Sequence, residues 1–450
     1  MKRTLELCKL SLLTVGLLTT AAQAEKTSLP SELRLPADHT LKKDQIPLGA
    51  PEITDAQRAA EFSDPPQMTS CYRDNPSRDG TVRTAALSVD LKLDWKVPFI
   101  NLGIHSASKS SPAVDSTGIY VGSDSAWLYA YDRDGRLRWR RFAPDAAWGI
   151  HSTAALDQKK VYFSAYNGVT YALDKKTGRL LWSTKLGDLI GSSPVISGGA
   201  LYTSVEKSRP PNGYVAKISP FDGSVIWRSP DLGEQAHSSP VLNEKDGLLH
   251  VGANNGDFFG IDLQTGQVRW KFSEGRPIKD TAALVGRSVC FGSWSGKFYC
   301  LEASSGKKIW QAQLDSKSRT SPTYIPDLDY LITASESGTI YALKLADGSV
   351  AWQIKTGINL LISSSLALKD SKKETAQWIV WDSCEKYSLC AIDAKSGSIL
   401  KKYDMGGFLT SVPVYFENRL YLSLNLDGGL EAFEAIRDST KKREKTASRP

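Results

Sequence analysis

The sequence predicts an all-β fold: an eight-bladed β-propeller of four-stranded antiparallel blades, closed by an N-terminal strand that completes the last blade. Three observations predict it. The phrase "YALDKKTGRLLW", residues 171–182, returns as "YAYDRDGRLRW" ending at Trp139, "KISPFDGSVIW" at Trp227, "FGIDLQTGQVRW" at Trp270, "YCLEASSGKKIW" at Trp310 and "YALKLADGSVAW" at Trp352. Recurrence at such a spacing is the signature of a repeat architecture. Within each unit the apolar residues alternate with polar ones, rich in Val, Ile, Leu and Tyr, as in strands half-buried in a sheet. Finally, the two ends of the array complement each other. The eighth unit, "TSVPVYFENRLYLSLNLDGGLEAFEA", stops after its third strand, and "LKLDWKV" (91–97) carries an unclaimed Trp95. A ring whose ends match leaves only short edges.

Taken in order, residues 1–24 read as a secretion signal. Lys2 and Arg3 precede the apolar run Leu10–Leu18, and Ala22-Gln23-Ala24 offers small residues for cleavage after Ala24. The run is too short to span a bilayer. Cys8 lies before it rather than at the cleavage point, so a soluble periplasmic product is expected, with no lipid anchor and no transmembrane segment. Residues 25–80 are polar and Pro-rich and read as an extended arm. Its end, "CYRDNPSRDG" (71–80), is turn-rich and expected to lie across the propeller near the ring closure. Residues 81–436 form the propeller. In each unit an "SSP"-like start leads into the innermost strand, and in "DxxTG" the Asp side chain accepts from the turn while Gly supplies φ > 0. The tryptophan follows on the outermost strand, where it packs as a large apolar plate on the neighbouring blade. The seventh unit has Lys401 where that residue is due. Residues 437–450 form a basic, disordered tail.

Charge and cysteines narrow the functional classes. The 450 residues carry +7 formally. The first 24 contribute +2 and the last fourteen +4, so the body stands near +1 and gives no reason to expect nucleic acid as a partner. Export places five cysteines in an oxidising compartment. Cys290 and Cys300 face each other across a hairpin centred on Ser295, and Cys384 and Cys390 flank "EKYSL" similarly, which predicts two local disulfides. Cys71 is left over, free or paired with a partner.

The unit "ALDxxTGxxxW" resembles the tryptophan-docked repeat of pyrroloquinoline-quinone (PQQ) propellers. The likeness covers about residues 71–436, and "YRDNPSRDG" followed by "LDWKV" looks like the entry segment of secreted members. That family holds quinoprotein dehydrogenases, which bind PQQ and calcium, and non-catalytic propellers such as the subunit of the outer-membrane β-barrel assembly machinery. The shared motif fixes fold better than function. Departures from the dehydrogenases decide between them. Their adjacent cysteines over the cofactor have no counterpart here, and the units are minimal apart from "EKSRPPNGY" (206–214). No His/Cys/Asp cluster has metal-ligand spacing, and no catalytic motif or acid–base pair is legible. The expectation is a binding or scaffold protein of the cell envelope with a protein partner and no cofactor. The alternatives are a PQQ- and calcium-dependent dehydrogenase and a glycan-binding propeller.

Aligning the units places one residue from each at the entry to the innermost strand: Lys109, His151, Gly191, His237, Lys279, Arg319, Ser363 and Thr410. These converge on one mouth of the channel. Three cations and two imidazoles without a carboxylate predict an anion-binding mouth at Lys109, His151, His237, Lys279 and Arg319. The bland expectation is that the long side chains only plug the channel and pair with Asp280 and similar neighbours. A second candidate surface is aromatic: Trp127, Tyr166, Trp294 and Trp381 near turns, with Trp148 in an inter-blade loop on the same face, suited to a protein or glycan partner.

Overall fold

The eight sheets of the computed structural model stand radially around a central channel. It describes residues 68–102, 110–358, 363–370, 377–385, 387–425 and 429–436, with backbone alone at 84–86. The signal, most of the arm, the tail and Lys109 lie outside the described residues. Each blade is an antiparallel meander. In the first, β3 (Ala113–Asp115) lines the channel, followed outward by β4 (Gly118–Gly122), β5 (Trp127–Tyr131) and β6 (Leu137–Phe142). The eighth blade is composite. Its outermost strand is β2 (Leu91–Val97), antiparallel to Gly429–Ala435, with Leu91 opposite Ala435 and Val97 opposite Leu430.

The tryptophans explain why neighbouring blades hold their angle. Each indole donates to a carbonyl of the next blade: Trp139 to Lys175 (3.2 Å), Trp182 to Pro220 (3.1 Å), Trp227 to Leu263 (3.3 Å), Trp270 to Ala303 (3.1 Å), Trp310 to Leu345 (2.7 Å) and Trp352 to Ala394 (2.9 Å). Trp95 closes the circle, donating to Arg133 of the first blade at 2.9 Å. Every ring lies on the glycine of its neighbour's outer turn. At Gly223, φ is +75° and a Cβ would stand 2.6 Å from the Trp182 ring, so both backbone and space demand glycine.

Lys401 is the informative exception. The turn its tryptophan would cover does not exist, because the outer strand of the eighth blade comes from the other end of the chain. That junction is instead wedged by β1 (Thr81–Leu87), which runs parallel to Leu366–Asp370. Leu87 and Leu91 join a buried cluster spanning the seventh and eighth blades, and Lys401 pairs with Asp90 at 3.3 Å.

Two rings of hydroxyls organise the innermost strands. In the first, Ser152 and its counterparts bridge the start of their strand to the next one; Ser152 donates to Ser164 O at 2.7 Å and accepts from Ser164 N at 3.0 Å. In the second, the backbone N–H of each blade donates to a hydroxyl of the following blade. The relay runs from Val412 to Ser111 (2.9 Å), Thr153 (2.9 Å), Ser193 (2.9 Å), Ser239 (2.9 Å), Thr281 (3.2 Å), Ser321 (3.1 Å) and Ser364 (2.8 Å). Only Val412 offers no hydroxyl.

Residues 69–80 circle the far end of the channel, where the innermost strands finish. Leu156, Leu242, Leu284, Tyr324 and Ala367 donate backbone bonds to Ser70, Pro76, Ser77, Asp79 and Gly80 in turn. Arg78 is fully buried and spreads its guanidinium over the carbonyls of Tyr72, Ser193 (3.2 Å), Pro194 (3.1 Å) and Pro240 (3.3 Å). Arg73 reaches Pro322 O, Thr323 Oγ1 (2.8 Å) and Arg78 O (2.7 Å). The carbonyls that the ring leaves unpaired at this end are thus met by the arm.

Candidate functional site

The arm lies across the far end, so among the described residues the channel is a cup that opens where the innermost strands begin. The cavity there is about 100 Å³. His151, His237, Lys279 and Arg319 line it, as do Gly191 and Thr410, with Tyr72 of the arm reaching in from below. The alignment therefore brings these entry residues together. Ser363 is a correction. Leu366 lies opposite Trp381 as Ala155 lies opposite Tyr162, so Ser363 matches Ser152. The entry position of the seventh blade is Ile362, outside the described residues. A run of three serines, 363–365, hid the one-residue offset.

The mouth is not free of carboxylates, contrary to the expectation from the entry residues alone. Glu206, on the long strand Ala200–Ser208, takes His237 Nδ1 at 3.0 Å and the N–H of Gly191 at 3.3 Å. Burial pushes this carboxyl up, but His237, the Gly191 N–H and Lys279 outweigh it and hold the group below its ordinary value. Gly191 carries no side chain because His237 and the Tyr166 hydroxyl fill its space; a Cβ would sit 2.7 Å from one and 2.8 Å from the other. Glu336 binds Arg319 at 2.9 Å and Lys317 at 3.3 Å. Asp280 stands where other blades carry the strand-bridging Ser or Thr. Its Oδ2 is shut away from solvent without a partner among the described residues. Burial pushes its pKa up to about 7 against the pull of Arg319, His237 and Lys279. Glu206 and Glu336 come from a second strand and a turn, which an alignment of entry residues does not reach; Asp280 directly follows Lys279.

Trp294, on the turn after Ser288–Gly292, is the focus of the cations. Lys279 Nζ stands 4.5 Å from its ring centroid, Lys317 Nζ 5.3 Å and the Arg319 guanidinium 5.3 Å. Burial lowers the pKa of Lys279, which Glu206 partly offsets. The other aromatics divide. Trp148 is 46% exposed and meets Tyr166 edge-on at 5.8 Å; Tyr166 in turn meets His151 at 4.7 Å. Tyr166 itself is buried, so this file of rings shows only Trp148 at the rim. Trp127 is half-buried under Arg140, 4.5 Å away, and beside Phe142 at 5.1 Å. Trp381 is a correction: it is fully buried and occupies the second-strand position that Tyr162 takes in its blade, four residues before the turn. Cys290 and Cys300 are joined, as are Cys384 and Cys390; Cys71 is unpaired and buried in the arm.

A family model described as "Beta-alanine-activating enzyme, beta-propeller" matches residues 106–423. The outer membrane protein assembly factor BamB of Yersinia pestis is 25% identical over 284 residues, which cover 59% of this chain and 69% of that protein. Among solved structures, BamB from Moraxella catarrhalis superposes with a TM-score of 0.60 at 18% identity, covering 76% of this chain and 99% of that one. The quinohemoprotein alcohol dehydrogenase from Comamonas testosteroni gives 0.68 at 13% identity, covering 86% and 84%.

Proposed function

The chain belongs to the β-propeller family described for the beta-alanine-activating enzyme, and from that premise we propose that it is an exported, non-catalytic scaffold of the bacterial envelope, acting in outer-membrane protein assembly from the periplasmic side. The fold alone names no chemistry. The observation that carries the proposal is the similarity to the Yersinia pestis assembly factor through more than half of the chain. The mouth face supports it. Exposed Trp148 and half-buried Trp127 are the rigid aromatic anchors from which protein interfaces draw their affinity, and cations stand beside Trp294 on the same face. The proposed partner is another protein of the assembly apparatus. The test is capture from a detergent extract of bacterial envelopes on the immobilised full chain. Recovery of an outer-membrane assembly protein, cut about tenfold or more by Trp148→Ala with Trp127→Ala, is the expected result. Its absence from the captured set sinks the proposal.

A bound quinone and calcium do not fit the residues present. Pockets for ligands of that size run to about 300–1,000 Å³, against the cup's 100 Å³. Among the described residues no three His, Cys, Asp or Glu side chains converge as ligands for a cation. The melting temperature is expected to stay unchanged on adding PQQ with calcium. A clear rise would restore the dehydrogenase, because a tight ligand must stabilise the state that binds it.

A further inference from the structure

We propose that the axial cup binds one small oxyanion or carboxylate head group, coordinated from below by the hydroxyl relay and from the side by Lys279. The relay supplies the donors. Each of its hydroxyls already accepts a backbone N–H, so its own proton is left for a second partner. Ser321 shares a hydrogen bond with the Tyr72 hydroxyl at 3.3 Å, in which either group can donate. For Thr153, Ser193, Ser239, Thr281 and Ser364 no protein acceptor lies in reach among the described residues, and all five line the cavity. Thr410 is 6% exposed on the same wall, and its Oγ1 has no partner among the described residues. O–H donors that converge without protein acceptors are matched by oxygens carrying negative charge.

The surrounding charges favour the same occupant. Glu206 and Glu336 are taken by His237 and by Arg319 with Lys317. Lys279 makes no ion pair among the described residues and is held over Trp294. Asp280 would repel an anion when ionised, but its raised pKa blunts that charge near neutrality. The volume of about 100 Å³ admits sulfate, phosphate or a carboxylate. The inference does not rest on the assembly proposal; it stands whether or not the rim carries a protein.

The experiment is titration calorimetry of the full chain with sulfate, phosphate and acetate, at ionic strength fixed with chloride. At least one should bind saturably with one site per chain. Lys279→Met, and separately Ser239→Ala with Thr281→Val, should each weaken it by about tenfold, the scale of one charge-assisted bond. Ser239→Thr with Thr281→Ser keeps both hydroxyls and should keep the affinity. Melts in chloride establish that each variant is folded. Preference for acetate would mark a carboxylate as the natural head group, and preference for sulfate or phosphate a tetrahedral oxyanion. Failure of all three to saturate, or equal affinity in the hydroxyl-deleted variant, overturns the proposal.

Discussion

His250 shows how one side chain can carry the pH response of a blade. It sits where other blades place Tyr120, Tyr162, Tyr202 and Tyr421, sealed against Trp270 at 5.3 Å. Burial lowers its pKa from 6.5 to about 3. The unfolded chain therefore binds a proton that the folded chain refuses between those values, and stability present above pH 6.5 is lost as pH falls toward 3. His250→Tyr is expected to flatten the urea-unfolding free energy between pH 6.5 and 4 relative to the parent; an unchanged difference between the two proteins would refute the assignment. Arg78 is the opposite case, a charge tolerated inside because carbonyls surround it. Arg78→Met should lower unfolding free energy by about 3 kcal/mol, since it leaves those carbonyls without a donor, and a loss below 1 kcal/mol would show that water replaces it. Neither role was legible in the sequence. "YRDNPSRDG" marked a compact turn, but nothing in it says which carbonyls an arginine will find.

At the scale of the strand and its turn, the sequence was most informative. Tryptophan and the Gly of the following unit are 36 to 45 residues apart, as from Trp270 to Gly306 and from Trp352 to Gly397, yet they touch. The repeat itself encodes the contact. Trp182→Ala should cost about 3–5 kcal/mol. Lys401→Trp should bring no rise in melting temperature, because its neighbour has no outer turn to cover; a rise of several degrees would reveal a docking place that the fold does not show. Legibility failed where a unit departed from the pattern. "WIVWDSCE" offers two tryptophans to one strand, and both are buried, Trp378 in the core shared with the sixth blade and Trp381 in the core shared with the eighth. Likewise the carboxylates of the mouth, Glu206 and Glu336, stand on elements whose convergence depends on blade tilt rather than on spacing.

For the whole molecule, closure was predictable from the complementary ends, whereas the blind channel was not, since the arm has no period to read. A variant lacking residues through Val97 would leave the eighth blade three-stranded and its last strand, Gly429–Ala435, open at the edge. It should self-associate in size-exclusion chromatography, as unpaired edges do; a monomer with the parent's melting temperature would contradict the closure. The composite blade also sets the order in which the ring can be completed. Leu91–Val97 emerges among the first strands and cannot take its place until Gly429–Ala435 has been made. Any product terminated early is left with an unfilled sector, so the circle acts as a built-in check that translation has run to its end.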